Sequence, residues 1–190
     1  GRLAACLVLN AVGLTLNRFG TKGGSFDPER AAESGMLTGA EHARFTRTME
    51  EGFAAREIDN ARSGNYFILT GFDKAYPARL KQISDPPLVL YVRGDVETLA
   101  RPSIAIVGSR NATAYGRAVA AHLAAKLASR GLVVVSGFAR GIDTEAHRGS
   151  IRAGGKTVAV LGCGIDVDYP AGQEKLRGEV AGNGCLASEF

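Results

Sequence analysis

The residues able to do chemistry gather in three glycine-rich turns, each directly after an apolar β-type run. They are Ile104-Ala-Ile-Val-Gly-Ser-Arg110, Val133-Val-Val-Ser-Gly-Phe-Ala-Arg-Gly-Ile-Asp143 and Val158-Ala-Val-Leu-Gly-Cys-Gly164. In a parallel α/β sheet the turns after successive strands collect along one edge, where backbone free of side chains can approach phosphate closely. Arg110 follows the first run and should stand at that edge, where a planar five-donor guanidinium binds phosphate bidentately or stacks on a base. The alternative for Arg110 is an ion pair with a carboxylate such as Asp143. Ser136 to Gly141 offer clustered backbone amides ahead of a helix start, with Arg140 as a solvated phosphate contact. Asp143 is expected to cap that helix. Two readings of Phe138 stay open, a platform for base stacking or a plug for the core beneath the loop.

Other phosphate-binding signatures do not fit. A Walker A loop needs Gly-x-x-x-x-Gly-Lys-Ser/Thr, and no such string occurs. A dinucleotide fingerprint needs Gly-x-Gly-x-x-Gly after the first strand. Here Gly108 and Gly116 bracket a different turn, and Ser136-Gly137 occupy the place of the acidic ribose contact. His147 has no serine or cysteine nucleophile placed beside it and reads as a hydrogen-bonded structural histidine. Asp166 and Asp168 read as polar loop residues ahead of Tyr169-Pro170. No His/Cys/Asp cluster has metal-ligand spacing, so no catalytic group, metal or cofactor is expected.

The elements that must position these turns follow from patterning. From Ile104 the chain alternates as βαβαβαβ, with crossover helices over about 115–129, 143–153 and 172–181 and a fourth strand beginning at Cys185. The strands are apolar without alternation, as in a doubly wound sheet covered on both faces. Val119, Leu123 and Leu127 lie on one face of the first crossover helix, whose alanines allow close packing. Upstream, Thr38 and Glu41 form a capping box. It opens a helix in which Phe45, Met49 and Phe53 make an apolar stripe for packing, ended by Ser63-Gly64. Leu3, Leu7 and Val8 start a short helix, and residues 21–25 form a loop. Tyr66–Thr70 and Leu88–Val92 read as strands. A short helix is expected over 76–83 and another over 96–100.

Composition narrows the class of protein. The 190 residues are 45% hydrophobic and 22% charged, ordinary globular values. The net charge of +4 is uneven: residues 1–99 hold 12 basic and 12 acidic side chains, and residues 100–190 hold 11 and 7. The whole excess therefore falls on the half with the glycine turns, a hint of an anionic partner. Cys6, Cys163 and Cys185 read as buried, reduced thiols. With no run of about 18 apolar residues and no signal peptide, the expectation is a soluble cytoplasmic protein without a membrane partner.

Together, Val107-Gly-Ser-Arg110, Tyr115-Gly116, Ser136 to Asp143, Ala146-His147, Val160 to Asp166, Tyr169-Pro170 and Ser188-Glu189 resemble the DNA-processing protein A family, DprA/Smf. Tyr76-Pro77 and Asp85-Pro-Pro-Leu-Val-Leu-Tyr91 with Gly94 look like that family's lead-in. The resemblance covers about 64–190. It implies an extended Rossmann-like, doubly wound, mostly parallel sheet over 64–190, with a lead-in over 64–100 and a core over 103–190. A small helical domain of the SAM or helix-hairpin-helix kind precedes it over 1–62. It further implies single-stranded DNA binding, loading of the RecA recombinase in natural transformation, a homodimer for the complete protein, and no catalysis. Carried over by motif, the DNA pocket would comprise Gly108, Ser109, Arg110, Ser136, Gly137, Phe138, Ala139, Arg140 and Gly141, bordered by Gly162, Gly164 and Tyr169. A chain ending at Phe190 is expected to lack the last part of the sheet, with its surfaces for dimerisation and RecA contact. The competing reading is an enzyme similar to the nucleoside-monophosphate phosphoribohydrolases, whose Pro-Gly-Gly-x-Gly-Thr turn does not occur here.

Overall fold

The computed structural model describes residues 1–19 and 35–190; the loop expected over 21–25 lies outside the described residues. The chain divides into two compact units, Gly1–Leu90 and Tyr91–Phe190. The division falls after the 62/64 boundary read from the sequence, so the first part of the lead-in groups with the helical unit.

In the first unit, helix α1 (Arg2–Ala11) buries Ala5, Cys6, Leu7, Val8 and Leu9. Burial pushes the Cys6 thiol up to about 12. Helix α2 (Gly39–Glu50) opens on the expected capping box: Glu41 N donates to Thr38 Oγ1 at 3.3 Å, and Thr38 N donates to Glu41 Oε2 at 2.7 Å. The single helix expected to run on to Ser63 is broken. Gly52 takes the left-handed conformation at φ 67°, and a separate helix α3 (Phe53–Gly64) follows. A left-handed residue ends a helix by turning the chain away from the helical path. The stripe of Phe45, Met49 and Phe53 is therefore interrupted: Phe45 is buried, while Met49 is exposed. Strand β1 (Phe67–Thr70) closes the unit's regular structure. The helix expected over 76–83 is only a 3-10 turn at Leu80–Gln82. Tyr76 is anchored instead by its hydroxyl, which donates to the Pro87 carbonyl at 2.7 Å.

The second unit is the mostly parallel, Rossmann-like α/β body. Strand β2 (Val89–Gly94) enters it, and a short 3-10 helix at Val96–Ala100 leads to β3 (Ser103–Ala105). There follow α4 (Ala114–Ala128), β4 (Val133–Ser136), α5 (Ile142–Arg152), β5 (Thr157–Leu161), α6 (Glu174–Asn183) and β6 (Gly184–Ser188). The strand order is β2-β6-β5-β4-β3. β3, β4, β5 and β6 are parallel neighbours in register Ile104↔Val134, Val135↔Val158 and Ala159↔Leu186. β2 pairs antiparallel with β6, Tyr91 opposite Ser188. This register brings the C-terminal ends of β3, β4 and β5, and so all three glycine turns, to one edge.

The packing of α4 corrects one expectation. Its buried stripe is Ala120, Ala124 and Ala128, while Val119 and Leu123 are 44% and 47% exposed. Only Leu127 of the expected face packs on the core cluster of Ile106, Ala124, Ala128, Val134 and Ala146. The cause is the closeness of α4 and α5. A Cβ placed on Gly149 of α5 would stand 2.3 Å from the Ala121 carbonyl oxygen. At that separation only alanine and glycine fit between the backbones, and the larger side chains turn outward.

Gly149→Ala should therefore force the two helices apart. The expected loss is about 1–3 kcal/mol, the usual range for overpacking a tight contact. Denaturant unfolding of the variant against the parent chain checks it; equal stability would contradict this account of the helix pair.

Candidate functional site

The first two turns are built against each other. Ile106 N–H extends the β3–β4 pairing by donating to the Val135 carbonyl at 2.9 Å. Ser136 Oγ donates to the Ile106 carbonyl at 2.6 Å, so this buried hydroxyl is spent on holding the strand ends together. Beyond it, Gly141 at φ 83° passes so close to the first turn that a Cβ there would stand 2.3 Å from the Ser109 carbonyl oxygen. Ile142 N–H donates to that same carbonyl at 3.2 Å. Ser109 Oγ accepts from Asn111 N–H at 3.1 Å, and Thr113 caps α4 through Gly116 N–H.

Asp143 completes the join, and it does not cap its helix. The N-cap of α5 is Gly141, with no side-chain bond. Asp143 lies in the first helical turn and is buried; Oδ1 accepts from Gly108 N–H and Oδ2 from Ala139 N–H, each at 3.3 Å. One carboxylate thus binds an amide from each turn. Its position at the positive end of a helix favours its charge. Among the described residues it forms no ion pair with Arg110, so that alternative is not the one adopted.

The question left open at Phe138 is decided by burial. Its backbone is left-handed, φ 60°, and its ring is only 2% exposed. The ring packs on His147 with centroids 5.6 Å apart at 47°. Phe138 is the plug, not a stacking platform. His147 is itself fully buried, with Nδ1 2.7 Å from Thr157 Oγ1. Thr157 Oγ1 already donates to the Val134 carbonyl at 2.8 Å. The threonine must therefore accept, so Nδ1 carries the proton and Nε2 the lone pair. Nε2 has no partner. Desolvation lowers the His147 pKa to about 4, so the ring stays neutral near pH 7.

The third turn is held from below. Ser188 Oγ donates to the Cys163 carbonyl at 2.6 Å, and Arg177 Nη2 donates to the Ile165 carbonyl. Burial lowers the Arg177 pKa, while Cys163, Asp168 and Asp166 nearby favour its charge. Gly164 is tight against Asp166 Oδ1, with 2.7 Å from an added Cβ, whereas Gly162 faces open space. Asp168 is raised above the ordinary carboxylate range by desolvation and by the hydrogen bond and charge of Glu174.

These turns enclose two adjoining chambers. The larger, about 650 Å³, is lined by Val107, Gly108, Arg110, Gly137, Phe138, Ala139, Asp143, Leu161, Gly162, Cys163 and Tyr169. The smaller, about 480 Å³, is lined by Arg110, Asn111, Ala139, Arg140, Asp168, Tyr169, Pro170 and Ala171. Eight of the twelve residues singled out from the sequence line one chamber or both. Ser109, Ser136, Gly141 and Gly164 line neither; they hold the turns in place. Arg110 and Arg140 are exposed and, among the described residues, make no ion pair. Sequence reasoning missed Asp143 as a lining group, having read it as a cap. It also missed Val107 and Leu161, whose apolar types signalled only strand. Cys163, expected to be buried, is half-buried in the larger wall, whereas Cys6 and Cys185 are buried. No cluster among the described residues could hold a metal ion, and no described helix is long and apolar enough to cross a membrane.

Known proteins share this fold. The profile of the family described as DNA recombination-mediator protein A matches residues 67–190. The DNA processing protein DprA of Bacillus subtilis (strain 168) is 44% identical over 117 residues, 61% of this chain and 39% of its own length. That of Streptococcus pneumoniae (strain R6) is 38% identical over 138 residues, 70% of this chain and 49% of its own. The chain thus spans less than half the length of these curated relatives. The X-ray structure of DprA from Streptococcus pneumoniae matches with a TM-score of 0.73 at 28% identity, covering 100% of this chain and 63% of that one. A structure of DNA processing protein A from Helicobacter pylori, which concerns that protein's single-stranded DNA binding mode, matches with a TM-score of 0.56 at 33% identity. It covers 66% of this chain and 55% of that one.

The buried histidine gives the site a pH signature. With a folded pKa near 4 against an ordinary 6.5, the unfolded chain binds the extra proton. The stabilisation is complete above pH 6.5 and is lost as pH falls towards 4, by about 3 kcal/mol in all. Unfolding free energies of the parent and His147→Gln across pH 4–7 check this; an equal acid loss in both would contradict it.

Proposed function

The chain belongs to the DNA recombination-mediator protein A family, and from that premise we propose that its second unit is a non-catalytic single-stranded DNA-binding body acting in recombination. In the complete protein this body serves to load RecA onto incoming DNA during natural transformation, in the cytoplasm and as a homodimer. The observation that carries the reading is the pair of open guanidiniums, Arg110 and Arg140, at chambers formed by three glycine turns. Both are free of carboxylate partners among the described residues and sit on the half of the chain that holds the whole positive excess. Guanidinium binds phosphate through parallel N–H donors, and exposed cations release counterions when they do so. The Helicobacter pylori relative, whose structure concerns single-stranded DNA binding, supports the same ligand class.

The binding mechanism is electrostatic, with stacking as its second part. Phosphates lie along Arg110 and Arg140. With Phe138 withdrawn into the core, the aromatic surface left for a base is Tyr169, which is 53% exposed and lines both chambers. Stacking of this kind tolerates any base, because every base has a π face.

Fluorescence anisotropy of a labelled oligo-dT titrated at several salt concentrations tests the reading. Arg110→Ala and Arg140→Ala should each cost about 1.5–3 kcal/mol, the range for hydrogen bonds to charged groups. Each should also flatten the log-log salt dependence by about 0.7, the slope that one neutralised phosphate contributes on a single strand. Duplex competitor should fail to displace the oligonucleotide. Unchanged affinity in both variants would remove the assignment, and release of free adenine from AMP would favour an enzyme.

A further inference from the structure

The two chambers share a wall but differ in charge: Asp143 balances Arg110 in the larger, whereas Arg110 and Arg140 outweigh Asp168 in the smaller. The Asp143 carboxylate occupies two amides that the first two turns could otherwise present to a phosphate, those of Gly108 and Ala139. The larger chamber therefore carries a resident anion opposite Arg110, and its lining has no net charge. A phosphate entering it would stand beside the Asp143 carboxylate and be repelled by it. The rest of that wall is largely apolar, with Val107, Leu161 and the edge of the Phe138 plug. The smaller chamber is more positive. Arg110, Arg140 and Asn111 line it, and Asp168 is its one carboxylate, leaving a net positive lining.

We infer that one nucleotide is divided between them: its base enters the larger chamber, its phosphate the smaller, and Asp143 sets that order. This rests on the single-strand reading above and adds to it. Arg110 and Tyr169 line both chambers, so the sugar crosses between them at the shared wall. Asp143 still has lone pairs beyond its two amide bonds and accepts from an N–H on a base edge. A base turned into the recess between the turns must first be unstacked and unpaired, which costs more from a duplex than from a single strand. Selectivity for single strands then resides in the larger chamber and affinity in the smaller one.

The test compares oligo-dT with an abasic oligonucleotide of equal length, which keeps every phosphate and removes every base. With the parent chain, the abasic strand should bind about tenfold or more weakly, while the slope of log affinity against log salt stays the same. Equal affinity for the two strands would overturn the division while leaving single-strand binding intact. Failure to bind either strand would overturn the single-strand reading and this inference with it. A second arm uses Asp143→Asn, with its fold checked by circular dichroism. Without the resident charge the abasic penalty should shrink several-fold; an unchanged penalty in a folded variant would show that Asp143 does not set the order.

Discussion

The Asp143 carboxylate accepts one amide from the turn after β3 and one from its own turn after β4. A buried carboxylate is costly to desolvate unless it is hydrogen-bonded, and here two backbone donors and a helix N-terminus supply the compensation. The same bonds remove two donors from any incoming anion. Those two amides of the sheet edge are therefore spent on the scaffold and not offered to a phosphate. The edge is a fixed scaffold, with its free positive charge carried outward on Arg110 and Arg140.

That scaffold needs close backbone approach, and the glycines that matter are the ones that permit it. Gly141 lets the second turn touch the Ser109 carbonyl, and Gly149 lets α5 lie against Ala121. The alanine stripe of α4 follows from that approach, and so does the outward turn of Val119 and Leu123. Beneath the second turn the Phe138 ring and the neutral His147 fill the space, with Thr157 linking them to the β4 backbone. Hydrogen bonds and packing thus run without a break from the core to the cavity wall.

Much of this could be read from the residues alone. Apolar runs ending in glycine marked the strands and turns, because both signals are local. The parallel register then brought those turns to one edge. What could not be read depends on distance. Asp143 two residues after Gly141 looks the same in sequence whether it caps its helix or reaches Gly108, and only the approach of the first turn decides. Phe138 was undecidable for the same reason, since its direction is set by the left-handed backbone that the two turns impose. Gly52 lay within an apolar pattern that ran through it, and periodicity does not register a single residue at positive φ. On α4, Val119, Leu123 and Leu127 had the right spacing for a buried face, but the near approach of Gly149 reserved the inside for alanine.

The decisive measurement is amide-resolved NMR of the isotopically labelled chain as oligo-dT is added. The expected result is that shifts concentrate at residues 107–111, 137–140, 162–163 and 169, around the two chambers. Saturable binding with those amides unmoved, and shifts gathered in residues 1–90 instead, would place the strand elsewhere and contradict the site described above.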